Sequence, residues 1–454
     1  MPDSSFAESA EPEAALAAFA ANLAWDDIPP RVRHEAKRAI LNVLATGIAG
    51  AAEPAVEIAL RTMTPFSGAP AASLVGRGER RDPALAAFLN AMAANIFDFD
   101  DNHAATIIHP AAPLLPALLA HAEAHALGGR ALIRAFVVGG EIECRIGNAM
   151  SPYHYARGWH ITSTAGIFGA AAGVGSLLGL DAAGQGWAMG NAAVQSAGLV
   201  EALGTMAKSV SVGNAARQGM FAALLAADGF SGPARPLAGE RGFLRVYGET
   251  PRLEALTDGL GEVWEIGRNT YKPYPAGVVL NPVIDASLEI ARRPGFDASN
   301  VARIELRGHP LLRQRTDRPD VRTGRESQVS AQHAIAIVFR RGEAGLDAFG
   351  DAAVAETLAA GRPEVAFVDD ASFDIAAVAM AVTMRDGAVY TLDVAAARGS
   401  EANPMSDAEI ETKLATLADR AKFPRDVRPL IDAVWALEDI ADAGDVARLA
   451  ALED

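Results

Sequence analysis

Residues 158–180 read GWHITSTAGIFGAAAGVGSLLGL. From Ala165 to Leu180 the run is apolar and built largely of glycine and alanine. It covers about 16 residues between His160 and Asp181, short of the roughly 20 that a membrane-spanning helix needs. The pattern therefore predicts a helix buried at the centre of a soluble domain. Small side chains let neighbouring helices approach closely, so the surrounding domain should be tightly packed and helical.

The flanking sequence extends this expectation. Two helical patterns lie in residues 10–50, separated by Ile28-Pro29-Pro30. Asp82-Pro83 reads as an N-cap followed by proline at the first helical position. Further helices are expected at Pro113–Ala126 and at about 130–148, 163–180, 184–203 and 212–229. After residue 260 the pattern changes. Val301–Arg307 alternates apolar and polar residues, as a half-buried strand does. Ala377–Met384 and Val389–Val394 flank Asp386-Gly387, a two-residue hairpin signal. Helical stretches at Asn281–Arg293 and Ser327–Arg341 sit among these strands. Ser406-Asp407-Ala408-Glu409 is a capping box that opens a C-terminal helical segment. The fold class read from this is mainly α. A large all-helical domain (1–265 and 404–454, discontinuous) is joined by a smaller α+β domain (266–403).

Composition narrows the function classes. The formal charge of −16, from 40 basic and 56 acidic residues, repels nucleic acid and anionic membranes. A local basic cluster can still attract a small anion, because a distant charge is screened beyond about 8–10 Å. Cys144 is the single cysteine, which rules out a disulfide within the chain; its apolar helical setting reads as a buried structural thiol. The start, MPDSSFAESAEPEAALAAF, is acidic and lacks a basic n-region, so a signal peptide is not expected and the location expected is cytoplasmic. There is no G-x-G-x-x-G, no G-x-x-x-x-G-K-[ST] and no G-x-S-x-G, so three common enzyme classes lose their usual support.

Four polar clusters remain, each set in very apolar sequence. Asp98-Phe99-Asp100-Asp101-Asn102-His103, followed by His109-Pro110, suits a metal site, an acid–base and substrate-binding loop, or a solvated capping loop. Gly158-Trp159-His160 places a histidine just before a helix, where the dipole disfavours its cation; it reads as a neutral base or as a loop-bonded histidine. Lys208, expected just ahead of a helix, reads as an anion-binding lysine or as one snorkelling to solvent. Tyr271-Lys272-Pro273-Tyr274-Pro275 stands where the helical pattern gives way to the α+β region. Ligand sites favour such junctions, and a rigid linker is the plainer alternative.

Together these clusters resemble the MmgE/PrpD family over nearly the whole chain. The resemblance rests on IPP…AKRAILNVLATGIAG in the early helices, Asp98-Phe99-Asp100-Asp101, His109-Pro110, Gly158-Trp159-His160, Lys208 with Gly213-Asn214-Ala215-Ala216, and Lys272-Pro273-Tyr274-Pro275. It implies a helical domain, an α+β lid, a homodimer, and a metal-free, cofactor-free site between the domains. It also implies chemistry on small carboxylic acids, since members include 2-methylcitrate dehydratase, cis-aconitate decarboxylase and iminodisuccinate epimerase. By the resemblance Asp98, His109, His160, Lys208 and Lys272 are catalytic; Asn102, His103, Arg217, Tyr274 and His333 are expected beside them as substrate-binding residues. Asn102 stands where decarboxylase-type members carry threonine, and His333 where they carry tyrosine.

The leading expectation is a hydro-lyase (dehydratase) acting on a di- or tricarboxylic acid. A base removes the proton α to a carboxylate, and the lysines hold the carboxylates. An epimerase in the same site is the alternative, motivated by His333 as an extra titratable group. A decarboxylase, a metal-dependent hydrolase using Asp98, Asp100, Asp101, His103 and His109, and a non-enzymatic relative rank below these.

Overall fold

The structure is a computed structural model that describes residues 12–452. Most of the acidic start that argued against a signal peptide lies outside the described residues. The chain is mainly α and divides into two compact units. One comprises the described residues of Met1–Ile96, Asp100–Asn269 and Asp407–Asp454; the other comprises Phe97–Phe99 and Thr270–Ser406.

In the first unit the helix Ile161–Leu177 is buried from Ile161 to Ser176. It packs against the helices Gly129–Met150, Ala111–Ala124 and Ala207–Ala227. Glycine makes that packing close. A Cβ at Gly139 would sit 2.6 Å from the Gly169 carbonyl, and one at Gly219 would sit 2.6 Å from the Ile167 carbonyl. A larger residue at either point would push the helices apart. Asp82 caps the helix Pro83–Asn95, its Oδ1 accepting from Ala84 N and Leu85 N at 3.1 Å. The C-terminal helix Asp407–Arg420 returns to the helix Pro30–Gly50, where Lys413 Nζ donates to Asn42 Oδ1 at 2.8 Å. Cys144 is fully buried, and its thiol is pushed well up by burial. Among the described residues no single helix is long and apolar enough to cross a membrane.

Two helix bounds differ from the periodicity in ways that matter. The expected helix 184–203 is Ala182–Ala193; the chain then turns out so that Leu199 bridges Trp159 in antiparallel fashion. The expected helix 212–229 is Ala207–Ala227, which puts Lys208 inside the first turn and not ahead of it. Small and hydroxylated residues at 204–211 hide that start from a hydrophobic-period reading.

The second unit carries a four-stranded sheet in the order Val365–Asp369, Val301–Gly308, Val378–Met384, Val389–Val394. The first pair is parallel, with Ile304 opposite Val365; the other pairs are antiparallel. Asp386-Gly387 closes the hairpin with Gly387 at φ 87°, a conformation glycine adopts without steric cost. Val378, Met380, Val382 and Met384 alternate inward, and the helices Asn281–Ala291 and Ala331–Arg341 supply the rest of that core. The expected helix 327–341 is broken: a short turn Gly324–Ser327 precedes Ala331, and Ser330 caps the main helix by accepting from His333 N.

Candidate active site

Within the first unit, three helix N-termini meet, and each carries one of the residues singled out by sequence. His109 lies two residues before the helix Ala111–Ala124, His160 is the N-cap of Ile161–Leu177, and Lys208 is the second residue of Ala207–Ala227. Two contacts bring them together. His109 N donates to Thr162 Oγ1 at 3.2 Å, tying the first N-terminus to the second. Ser211 Oγ lies 3.3 Å from His160 Nδ1, tying the third to the second. Helix dipoles make such a junction favourable to anions, and a lysine only 7% exposed reinforces it.

Hydrogen bonding sets the tautomer of both histidines. His109 Nδ1 is 2.6 Å from the Asp101 carbonyl oxygen. A carbonyl only accepts, so Nδ1 carries the proton and Nε2 is the basic nitrogen. His160 Nδ1 lies 3.0 Å from Ser163 Oγ as well as near Ser211 Oγ. Both hydroxyls donate elsewhere, Ser163 to the His160 carbonyl and Ser211 to the Lys208 carbonyl. They accept from the ring, and Nε2 is again the basic nitrogen. Gly198 fits the chain against this ring. Its φ is 148°, its carbonyl accepts from His160 N at 3.1 Å, and a Cβ there would collide with Ser163 Oγ.

The acid run beside His109 is buried. Asp100 Oδ1 lies 2.9 Å from His109 Nδ1, and its Oδ2 accepts from Asn95 Nδ2 at 2.6 Å. Asp101 Oδ2 accepts from Ala111 N at 3.1 Å and Asn269 Nδ2 at 2.8 Å, stapling the loop to its helix. Burial, with the Asp100 charge, pushes the Asp101 carboxyl up to about 7. Asn102 is buried in the short strand Asp101–His103.

In the second unit Lys272 Nζ bonds Asp98 Oδ2 at 2.8 Å and the Asp98 carbonyl at 3.0 Å. Asp98 holds a left-handed φ of 53°, which turns its carbonyl and carboxylate to one ammonium. Such a conformation is costly for a residue with a Cβ, and it marks this segment as constrained.

Four expected binding residues are placed otherwise. His103 is fully buried with both nitrogens occupied, by Glu265 Oε2 at 3.0 Å and Thr106 Oγ1 at 2.8 Å, and that bond holds Glu265 down at about 2. It braces the loop. Asp101 is likewise turned to backbone and amide donors. His333 is fully buried in the second unit's core, bonded to Thr357 Oγ1 at 3.0 Å and the Ala348 carbonyl at 2.8 Å. Burial pushes it down to about 4, so it is neutral near pH 7. Tyr274 donates to Asp285 Oδ1 at 2.6 Å, and its phenol is raised by burial. Arg217 is nine positions beyond Lys208 on one helix, about 13 Å along the axis and half a turn around it. It bonds Asn214 Oδ1 and covers the Phe88 ring. Sequence reading missed Thr162, Ser163, Ser211, Asn95 and Gly198. Thr162 and Ser163 sit in the run His160-Ile161-Thr162-Ser163, where hydroxyls cluster at a helix start.

Residues 14–256 match the MmgE/PrpD N-terminal domain and residues 274–439 the MmgE/PrpD C-terminal domain, and the chain belongs to the MmgE/PrpD family. It is 30% identical to a cis-aconitate decarboxylase-like protein of Aspergillus oryzae, over 96% of each chain. Human cis-aconitate decarboxylase is 29% identical over 91% of this chain and 89% of its own. A cis-aconitate decarboxylase of Aspergillus terreus is 33% identical over 61% of this chain and 59% of its own.

Proposed function

We propose that this protein is a lyase of small di- or tricarboxylic acids that moves a proton at carbon with its own imidazoles. The convergence of His109, His160 and Lys208 at three helix N-termini carries this reading. Lys208 and the N-termini favour a substrate carboxylate, and imidazole is the side chain whose ordinary range suits proton transfer near pH 7. The family resemblance gives Asp98 and Lys272 to the same chemistry.

Among lyase outcomes, the relatives favour loss of carbon dioxide over the loss of water expected from sequence. On an unsaturated tricarboxylate, an imidazolium would protonate one alkene carbon. The bond from the allylic carbon to its carboxylate breaks, and that electron pair becomes the new double bond as carbon dioxide leaves. Dehydration would use the same groups in the other sense, removing an α-proton as a β-hydroxyl departs. Epimerisation loses its motivation, because His333 lies in a core with both nitrogens bonded.

The test is a screen of cis-aconitate, citrate, 2-methylcitrate and iminodisuccinate, read by proton NMR in deuterated water. Decarboxylation gives a new alkene and carbon dioxide. Dehydration gives an unsaturated acid of unchanged carbon count, and epimerisation gives exchange alone. No change in any of the four acids would overturn the reading.

A further inference from the structure

We propose that Asp100 is a positioning residue that holds the His109 ring and supports its positive charge during proton transfer. The inference rests on the reading of His109 as a proton-transfer group. Asp100 is fully buried, and its two oxygens face two different partners. Oδ2 takes the Asn95 amide at 2.6 Å, which anchors the carboxylate to the end of the helix Pro83–Asn95. Oδ1 stands 2.9 Å from His109 Nδ1, beside the Asp101 carbonyl at 2.6 Å from the same nitrogen. The carbonyl is enough to fix the tautomer. The carboxylate adds a negative charge 2.9 Å from the ring, and opposite charges this close attract.

Asp101, Glu143 and Glu265 are placed for other tasks. Asp101 is engaged with Ala111 N and Asn269, and burial holds its carboxyl up at about 7. Glu143, on the helix Gly129–Met150, is fully buried, and burial, with the Asp101 charge, raises its carboxyl well above the ordinary range. Glu265 is bonded to His103, and Lys208 and His160 stand on the helices across the junction. Asp100 Oδ1 is set directly against the His109 ring, while the ring N–H itself is directed to the Asp101 carbonyl.

The test compares D100N and D100E with the wild-type enzyme, using whichever acid the screen identifies. In D100N kcat should fall by roughly 10–100-fold with KM within about threefold, since the group acts through the proton-transfer step. The limb of the pH profile set by His109 should move to lower pH, whichever way the proton travels, because the imidazolium has lost its partner charge. D100E should recover part of the loss. A second measurement needs no variant: nitrogen-15 NMR of the wild-type histidines should show the His109 ring protonated at Nδ1 in its neutral form. Wild-type kcat and an unmoved limb in D100N, or a ring protonated at Nε2, would overturn the inference. Equal loss in D100N and D100E with a lowered melting temperature and an unmoved limb would also overturn it, as a purely structural role. The parent reading fails separately: H109Q and H160Q would then both turn over at wild-type rate.

Discussion

Two sets of buried histidines can be compared. In the helical unit, His109 and His160 are fixed through Nδ1, by a carbonyl in one case and two hydroxyls in the other. In the second unit, His333 is bonded through both nitrogens to its own core. All three are buried, so burial alone does not separate them. Attachment does. A histidine fixed through Nδ1 at a helix start has a defined ring orientation, with Nε2 as the basic nitrogen of its neutral form. One held by both nitrogens is a polar brace, and its titration only costs stability.

The largest effect should come from removing the groups at the helix junction. H160Q and K208A are each expected to lower kcat/KM by roughly 10²–10⁴-fold, the range typical of lost acid–base or charge-stabilising groups. Circular dichroism should show an unchanged helical signal in both variants. Near-normal turnover in both would erase the distinction between the two sets of histidines.

A smaller effect is expected one shell out. In G198A the new Cβ collides with Ser163 Oγ, the hydroxyl that takes the His160 ring proton. The φ of 148° is also strained for alanine. Turnover should fall by about 10–100-fold through misplacement of His160, with a stability loss of about 1–3 kcal/mol. Thermal melting beside steady-state kinetics measures both. A variant with lowered stability and full turnover would show that the His160 ring does not depend on this contact.

Much of this was legible from the chain. The Gly/Ala run at 165–180 marked the central helix, and Asp386-Gly387 marked the hairpin. The polar clusters stood out because the helices around them are so apolar. Periodicity could not show that Lys208 lies inside its helix, since Ser209 and Ser211 carry no hydrophobic signal there. The distinction between His109 and His333 was equally hidden. It depends on partners far away in sequence, such as Thr357 for His333 and Thr162 for His109. Residue type at one position cannot report a tertiary hydrogen bond. The resemblance carried His333 into the site by alignment with a tyrosine, but alignment says nothing about how a different side chain satisfies its nitrogens.

The smallest effect sharpens the comparison from the other side. Burial pushes His333 down from 6.5 to about 4. A base depressed in the folded state resists protonation there more than in the unfolded chain. The stability it supports is fully present above pH 6.5 and is lost as pH falls through about 4. H333Q can keep one donor toward the Ala348 carbonyl, but it cannot titrate. The variant should cost about 1 kcal/mol at pH 7, from imperfect hydrogen bonds. Its melting temperature should fall less steeply than the wild type's between pH 6.5 and 4, because about 1–3 kcal/mol of acid sensitivity is removed. Turnover at pH 7 should stay within about threefold, since the ring lies in the second unit's core. A steep loss of kcat in H333Q with unchanged melting would place His333 with the histidines proposed to move the proton, against the bracing role that its two bonds to Thr357 and Ala348 assign it.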